Sequence, residues 1–198
     1  MRPFLLLALA APAFAAPAEP ARVPVFERML AFNLPADMVR ANDRNNGTNI
    51  LIEYVPKGQT LANWTRLVTI QAYRGLGRSP MKSGDIARQA FYPASCTSGP
   101  IYRDGGERIL ASGLKRSIIA NGCASLPAGA YPKALKGAGE QNYIMMFRDA
   151  DSIYTLNYAV RGPAFVGKAP PLSVEGGEAI LRDIFGEVTL NPIAPAAR

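Results

Sequence analysis

The sequence predicts an α+β domain in which helices, including a C-terminal one, cover an antiparallel sheet, and three observations carry that expectation. Aromatic and β-branched residues crowd the two halves of "NYIMMFRDADSIYTLNYAVRG" around a polar Asp149-Ala150-Asp151 turn, which is the pattern of a hairpin. Leu61, Trp64, Val68 and Ala72 recur at helical spacing after the breaker Pro56-Lys57-Gly58, with Thr60 placed to cap. Ala179, Ile180, Ile184 and Phe185 form an apolar face over Glu175 to Val188, and Glu175 and Glu178 favour the first turn of that helix.

The elements follow in order from the N-terminus. Arg2, an apolar run from Phe4 to Ala11 and small residues at Ala13 and Ala15 make residues 1–15 a secretory signal segment, cleaved before Ala16. The run is about half of the ~20 residues that cross a bilayer, so no integral membrane span is expected. "APAEPARVP" over 16–24 is rich in Ala and Pro and reads as a flexible lead-in. A single α+β domain over 25–190 and a tail over 191–198 complete the division.

Within the domain, "MLAFNLPADM" reads as a strand ending at Pro35, because proline supplies no ladder donor. "VRANDRNNGTNILIEYV" reads as a hairpin whose Asn-rich turn tolerates left-handed backbone. The next stretch, "EYVPKGQTLANWTRLVTI", holds the only tryptophan and admits two readings. Either a helix runs through Trp64 to Ala72, or it stops near Leu67 and "LVTIQAY" is a strand, since Val68, Ile70 and Ala72 also alternate. "RGLGRSPMKSG" is a loop, "DIARQAFY" a short helix, Asp104-Gly105-Gly106 a turn in an extended region, and "PAFVGKAPPLS" a loop.

Chemistry is bounded by what the chain lacks. It has no histidine, which removes the usual neutral-pH base, the imidazole zinc ligand and the base of Ser-His and Cys-His sites. The remaining acid candidates are Asp149, Asp151, Glu140 and Glu107, which would have to straddle a glycosidic bond. For Asp149 and Asp151 the favoured reading is a solvated turn between strands. Lys82 precedes Ser83 and so departs from the S-x-x-K order. Gly75 and Gly77 lack a third glycine or a lysine in register for a phosphate loop. Tyr143, Tyr154 and Tyr158, with Trp64, are either a ligand-lining set or packing between sheet and helix. No catalytic residue, cofactor site or metal site is assigned, and no cofactor is expected.

Two cysteines, Cys96 and Cys123, in an exported chain are expected to pair as a structural disulfide. Their wide separation argues against a catalytic C-x-x-C pair. The net charge of +7, or +6 without Arg2, is spread along the chain, with Lys115-Arg116 the only adjacent basic pair. A nucleic-acid partner is not expected, since such binders concentrate charge in a stripe that follows phosphates.

At "FNLPADM", "EYVPKGQTLANWTRLVTIQ" and "SIYTLNYAVRG" the chain resembles a group of small exported bacterial proteins similar to the Mog1/PsbP-like α/β sandwich. That resemblance implies an antiparallel sheet flanked by helices and an accessory or protein-binding role, and supplies no active-site residues. The resulting expectation is a periplasmic or secreted, non-enzymatic interaction protein of the bacterial envelope whose partner is an unknown envelope protein or polymer. The alternative is a small-ligand binder or a carboxylate-dependent hydrolase acting on envelope polymers, with a pocket of Asp or Glu, Tyr and Arg.

Overall fold

The structure, a computed structural model, describes residues 18–91, 96, 98–128 and 137–193. The expected signal segment and the end of the tail fall outside them. The strands are β1 (Glu19–Val25), β2 (Arg28–Leu34), β3 (Met38–Asn45), β4 (Asn49–Pro56), β5 (Arg66–Arg74), β6 (Ser98–Ile109), β7 (Lys115–Ser125), β8 (Ala138–Arg148), β9 (Ser152–Pro163) and β10 (Thr189–Pro192). Two helices, α1 (Ser83–Phe91) and α2 (Gly177–Phe185), and a 3-10 turn at Leu76–Arg78 complete the described elements.

Strand makes up 55% and helix 12% of the described residues, so the fold is β-rich and the expected α+β domain with a helix-covered sheet is overturned. A seven-stranded antiparallel sheet has the order β3-β4-β5-β9-β8-β7-β6, and a second sheet has the order β1-β2-β10. The physical reason for the correction lies in the tryptophan segment. Strand β5 sits between β4 and β9, with Ile70 opposite Ile52 on one side and Leu156 on the other. Its β-branched Val68, Thr69 and Ile70 suit a central strand, and of the two sequence readings the strand prevails. No helix forms before it. Residues 59–65 fold into a loop in which Thr60 N–H donates to Asn63 Oδ1 at 2.6 Å and Thr65 N–H to Gln59 Oε1 at 2.7 Å. Side-chain acceptors thus take backbone donors that a helix would have used.

Both hairpins expected from sequence are present, β3 with β4 and β8 with β9. Two other expectations change. Glu19–Val25 is a strand paired over its whole length with β2, not a flexible lead-in, because its alternate residues Val23 and Val25 enter the core. The start of the expected tail is likewise ordered: Asn191 and Pro192 belong to β10 and pair with β2. Asp104-Gly105-Gly106 is a bulge inside β6, and the reversal to β7 comes at Leu110 to Leu114, where Leu110 N–H donates to the Leu114 carbonyl at 2.8 Å.

The large sheet has two covered faces. On the inner face, Ile52, Ile70, Leu156, Met145 and Ile118 form one row across five strands, and the small sheet and α2 pack over such rows. Phe185 of α2 meets Phe32 and Tyr158 edge-on at 5.6 and 6.1 Å. On the outer face, Ile86 and Ala87 of α1 cover Ile119, Ile144, Met146 and Ile153. Cys96 and Cys123 form the expected disulfide, which ties the segment after α1 to β7. No described helix is long and apolar enough to cross a membrane.

Candidate functional site

Helix α2 determines the site, and Gly177 lets it sit close. A Cβ there would lie 3.1 Å from the Tyr143 ring, so even alanine would require the helix or the ring to give by a few tenths of an ångström. The approach of the chain to α2 is fixed by Gln141, which is 1% exposed. Its amide donates to the Leu172 carbonyl at 2.9 Å and accepts from Leu172 N–H at 2.7 Å. Tyr143 donates its hydroxyl proton to the Ser173 carbonyl at 2.6 Å, and burial raises its pKa to about 12, so the phenol stays a donor.

Beside α2 runs a groove made of two connected hollows, ≈ 200 Å³ and ≈ 440 Å³, which share Arg116 and Glu178. Leu114, Met145, Phe147 and Leu190 supply apolar surface in the larger one. Arginines from the β6–β7 side face acids from the α2 side: Arg116 donates to Glu178 at 2.5 Å, Arg108 lies 3.8 Å from Glu178 and Arg103 lies 3.9 Å from Glu175. Arg182, exposed on α2 at the rim of the larger hollow, has no carboxylate partner among the described residues. The far wall is β10, which pairs with β2 on one side only. Its other edge therefore leaves backbone donors and acceptors unpaired within the described sheets.

None of the acid candidates from sequence lines the groove, and only Asp149 and Asp151, which share the β8–β9 turn, lie side by side. Glu140 accepts from Arg161 at 2.6 Å, and Asp151 from Arg78 at 2.6 Å. Glu107 accepts from the Ser83 hydroxyl at 2.5 Å and pairs with Lys115 at 3.4 Å. Desolvation raises its pKa, but the bonds from Ser83 and the charge of Lys115 outweigh it and the net shift is downward. Asp149 behaves alike: desolvation is opposed by the backbone N–H groups of Ser152 and Asp151 and by Arg28 and Tyr154, and the balance lowers its pKa. A carboxylate held ionised in this way is a poor proton donor near neutrality. Among the described residues no group of three His, Cys, Asp or Glu side chains is placed to hold a metal.

Asp149 instead staples the β8–β9 turn to β2 through Arg28, at 3.0 Å. Its folded pKa lies below the ordinary 3.8, so its stabilisation is complete above that value and is lost as pH falls through the folded value. The stability gap between the parent chain and Asp149→Asn, measured by denaturant unfolding followed through Trp64 fluorescence, is therefore expected to be constant near neutrality. It closes below about pH 4.

The aromatic set is divided by the sheet. Tyr143, Tyr154 and Tyr158 lie in the inner core, whereas Trp64 is 6% exposed on the outer face with Val55 and Ala159. The Arg161 guanidinium stacks 3.8 Å from the indole centroid while binding Glu140. Packing accounts for all four, and Trp64 is a clamp on β9. The residues that sequence reasoning missed are Gln141, Arg116 and Arg182, which carry no motif and gain their roles only when α2 docks on β7 and β8.

No protein-family model matches this sequence, and the curated proteins contain no significant match to it.

Proposed function

We propose that the chain is an exported, non-enzymatic accessory protein of the bacterial envelope that holds an extended segment of a partner protein in the groove beside α2. The observation that carries this reading is the composition of the groove: an apolar floor, a charged rim and one wall made by the unpaired edge of β10. An added strand gains main-chain hydrogen bonds from such an edge and specificity from pockets for alternate side chains. The ion-paired state of Asp149, Asp151, Glu140 and Glu107 favours binding over acid-base hydrolysis. The leader-like first residues and the disulfide favour an oxidising, extracytoplasmic location.

The test places a photoreactive residue at Asn191 or Ser112, on opposite sides of the groove, or at exposed Lys57 as a control, in cells that export the protein. The expected result is one protein adduct shared by the two groove positions and absent at Lys57, with the attachment point in an extended segment of the partner. Arg182→Glu, a change at an exposed position, is expected to weaken capture about tenfold, the loss of one charge-assisted contact. Equal labelling from Lys57, or capture indifferent to Arg182, would contradict the proposal.

A further inference from the structure

The phase of the ladder between β2 and β10 determines which main-chain groups of β10 are free. Ile193 N–H donates to the Glu27 carbonyl at 2.9 Å, one step beyond the Pro192–Arg28 pair. Along an antiparallel ladder, residues alternate between bonding to the neighbour and turning away from it. Thr189 and Asn191, at even spacing from Ile193, therefore bond to β2, while Leu190 and Pro192 turn their main-chain groups toward the groove. No described strand pairs with that side of Leu190. Pro192 offers a carbonyl there but no N–H.

The opposite edge of the same sheet is built differently. Since Glu27 and Met29 face β10, Arg28 and Leu30 face β1 and bond to Val25 and Val23. The outward positions of β1 are then Pro20, Arg22 and Pro24, and the two prolines remove donors that an added strand would use. The small sheet thus guards one edge with a proline on each side of Arg22 and leaves Leu190 open on the other.

The face on which Leu190 sits decides what an added strand must carry. Leu190 is 4% exposed and its side chain belongs to the inner core. Residues directly opposite on neighbouring strands project to the same face. The residue laid opposite Leu190, in either strand direction, therefore sends its side chain into the hollow of ≈ 440 Å³ walled by Leu114, Met145 and Phe147. The residues before and after it point the other way, to the face that carries exposed Asn191.

We infer, resting on the groove reading above, that the partner segment is an extended stretch with one large apolar side chain, leucine or larger, held opposite Leu190 and flanked on both sides by residues of unrestricted polarity. Its main chain bonds to the N–H and carbonyl of Leu190. Burial of the apolar side chain supplies affinity, and the Leu190 pairing fixes the register that delivers it to the hollow. Pairing ends at Pro192, which accepts but cannot donate.

The probe is a phage-displayed library of random eight-residue peptides, selected on the disulfide-bonded protein. Peptides synthesised from the enriched clones are crosslinked through a photoreactive residue at Asn191 or at Lys57. Labelling from Asn191 and not from Lys57 is expected, with one large apolar position common to the peptides. Alanine at that position is expected to weaken binding about tenfold or more, and aspartate at either neighbour to change it less than about threefold. Hydrogen exchange is expected to show the Leu190 N–H gaining protection only in the complex, whereas the N–H groups of Thr189 and Asn191 are protected in the free protein too. Groove labelling without a common apolar position, with affinity indifferent to its alanine replacement, with a neighbouring aspartate as damaging, or without new protection at Leu190, overturns this inference and leaves the groove reading standing. Equal labelling from Lys57, or no enriched peptide at all, contradicts the groove reading itself.

Discussion

Replacing Arg148 with methionine is expected to remove about 3–5 kcal/mol of stability, the range for breaking a buried, fully bonded charge. Arg148 ends β8 and is 7% exposed. Its guanidinium donates to the Gly77 carbonyl at 2.8 and 3.1 Å, to the Met81 carbonyl at 2.6 Å and to the Ser79 carbonyl. Glu107 stands 3.9 Å away. The loop between β5 and α1 is therefore wrapped around one side chain, and removing it strands three carbonyls. Methionine keeps the packing volume of the stem, so the loss reads the hydrogen bonds. Arg148→Lys is expected to recover less than half, because an ammonium cannot reproduce the planar fork. Denaturant unfolding measures the global loss, and hydrogen exchange over 75–91 is expected to show it concentrated in the loop and α1. A loss below about 1 kcal/mol for the methionine variant would mean that solvent replaces the guanidinium at those carbonyls.

Removing the disulfide by Cys96→Ala with Cys123→Ala is expected to cost about 3–4 kcal/mol, the chain-entropy value for a bridge spanning 27 positions. Cys123 is fully buried in β7 and packs with Leu126 and Ala138, so part of the effect is lost packing. The denaturant dependence is expected to steepen, since a denatured chain without the cross-link exposes more surface. Unfolding of the double variant beside the oxidised and the reduced parent, at one pH and temperature, separates the two contributions. An unchanged midpoint would show that the bridge constrains nothing the fold does not already hold.

The contrast between these two positions shows what the chain discloses before it folds. Cys96 and Cys123 were legible because pairing follows from number and compartment. The hairpin around Asp149 was legible because its alternation is unbroken and its turn is polar. The tryptophan segment was not decidable by period, since Val68 and Ala72 satisfy both a strand, with Ile70, and a helix, with Leu61 and Trp64. Only the presence of β4 and β9 on its two sides settles it, and those contacts are distant in sequence. The lead-in failed for the same reason: Val23 and Val25 look isolated among prolines until β2 supplies a ladder. Arg148 and Gln141 had no local signature at all. Their partners are main-chain carbonyls and amides of loops about 30 to 70 residues away, and main-chain groups are the same whatever the residue. The groove beside α2 was equally hidden, being a product of docking.

The seven-stranded sheet consists of two runs of neighbouring hairpins, β3 to β5 and β6 to β9, sewn along a single seam where β5 meets β9. Arg66 of one pairs with Val160 of the other, so a chain emerging from its N-terminus finishes β5 long before its second neighbour exists. During that interval a nine-residue, largely apolar strand presents a raw margin to every other nascent copy. An unfolded chain that orders from its N-terminal end thus leaves β5 one-edged until β9 arrives, and crowding at that stage is expected to lower the yield of correctly closed sheets.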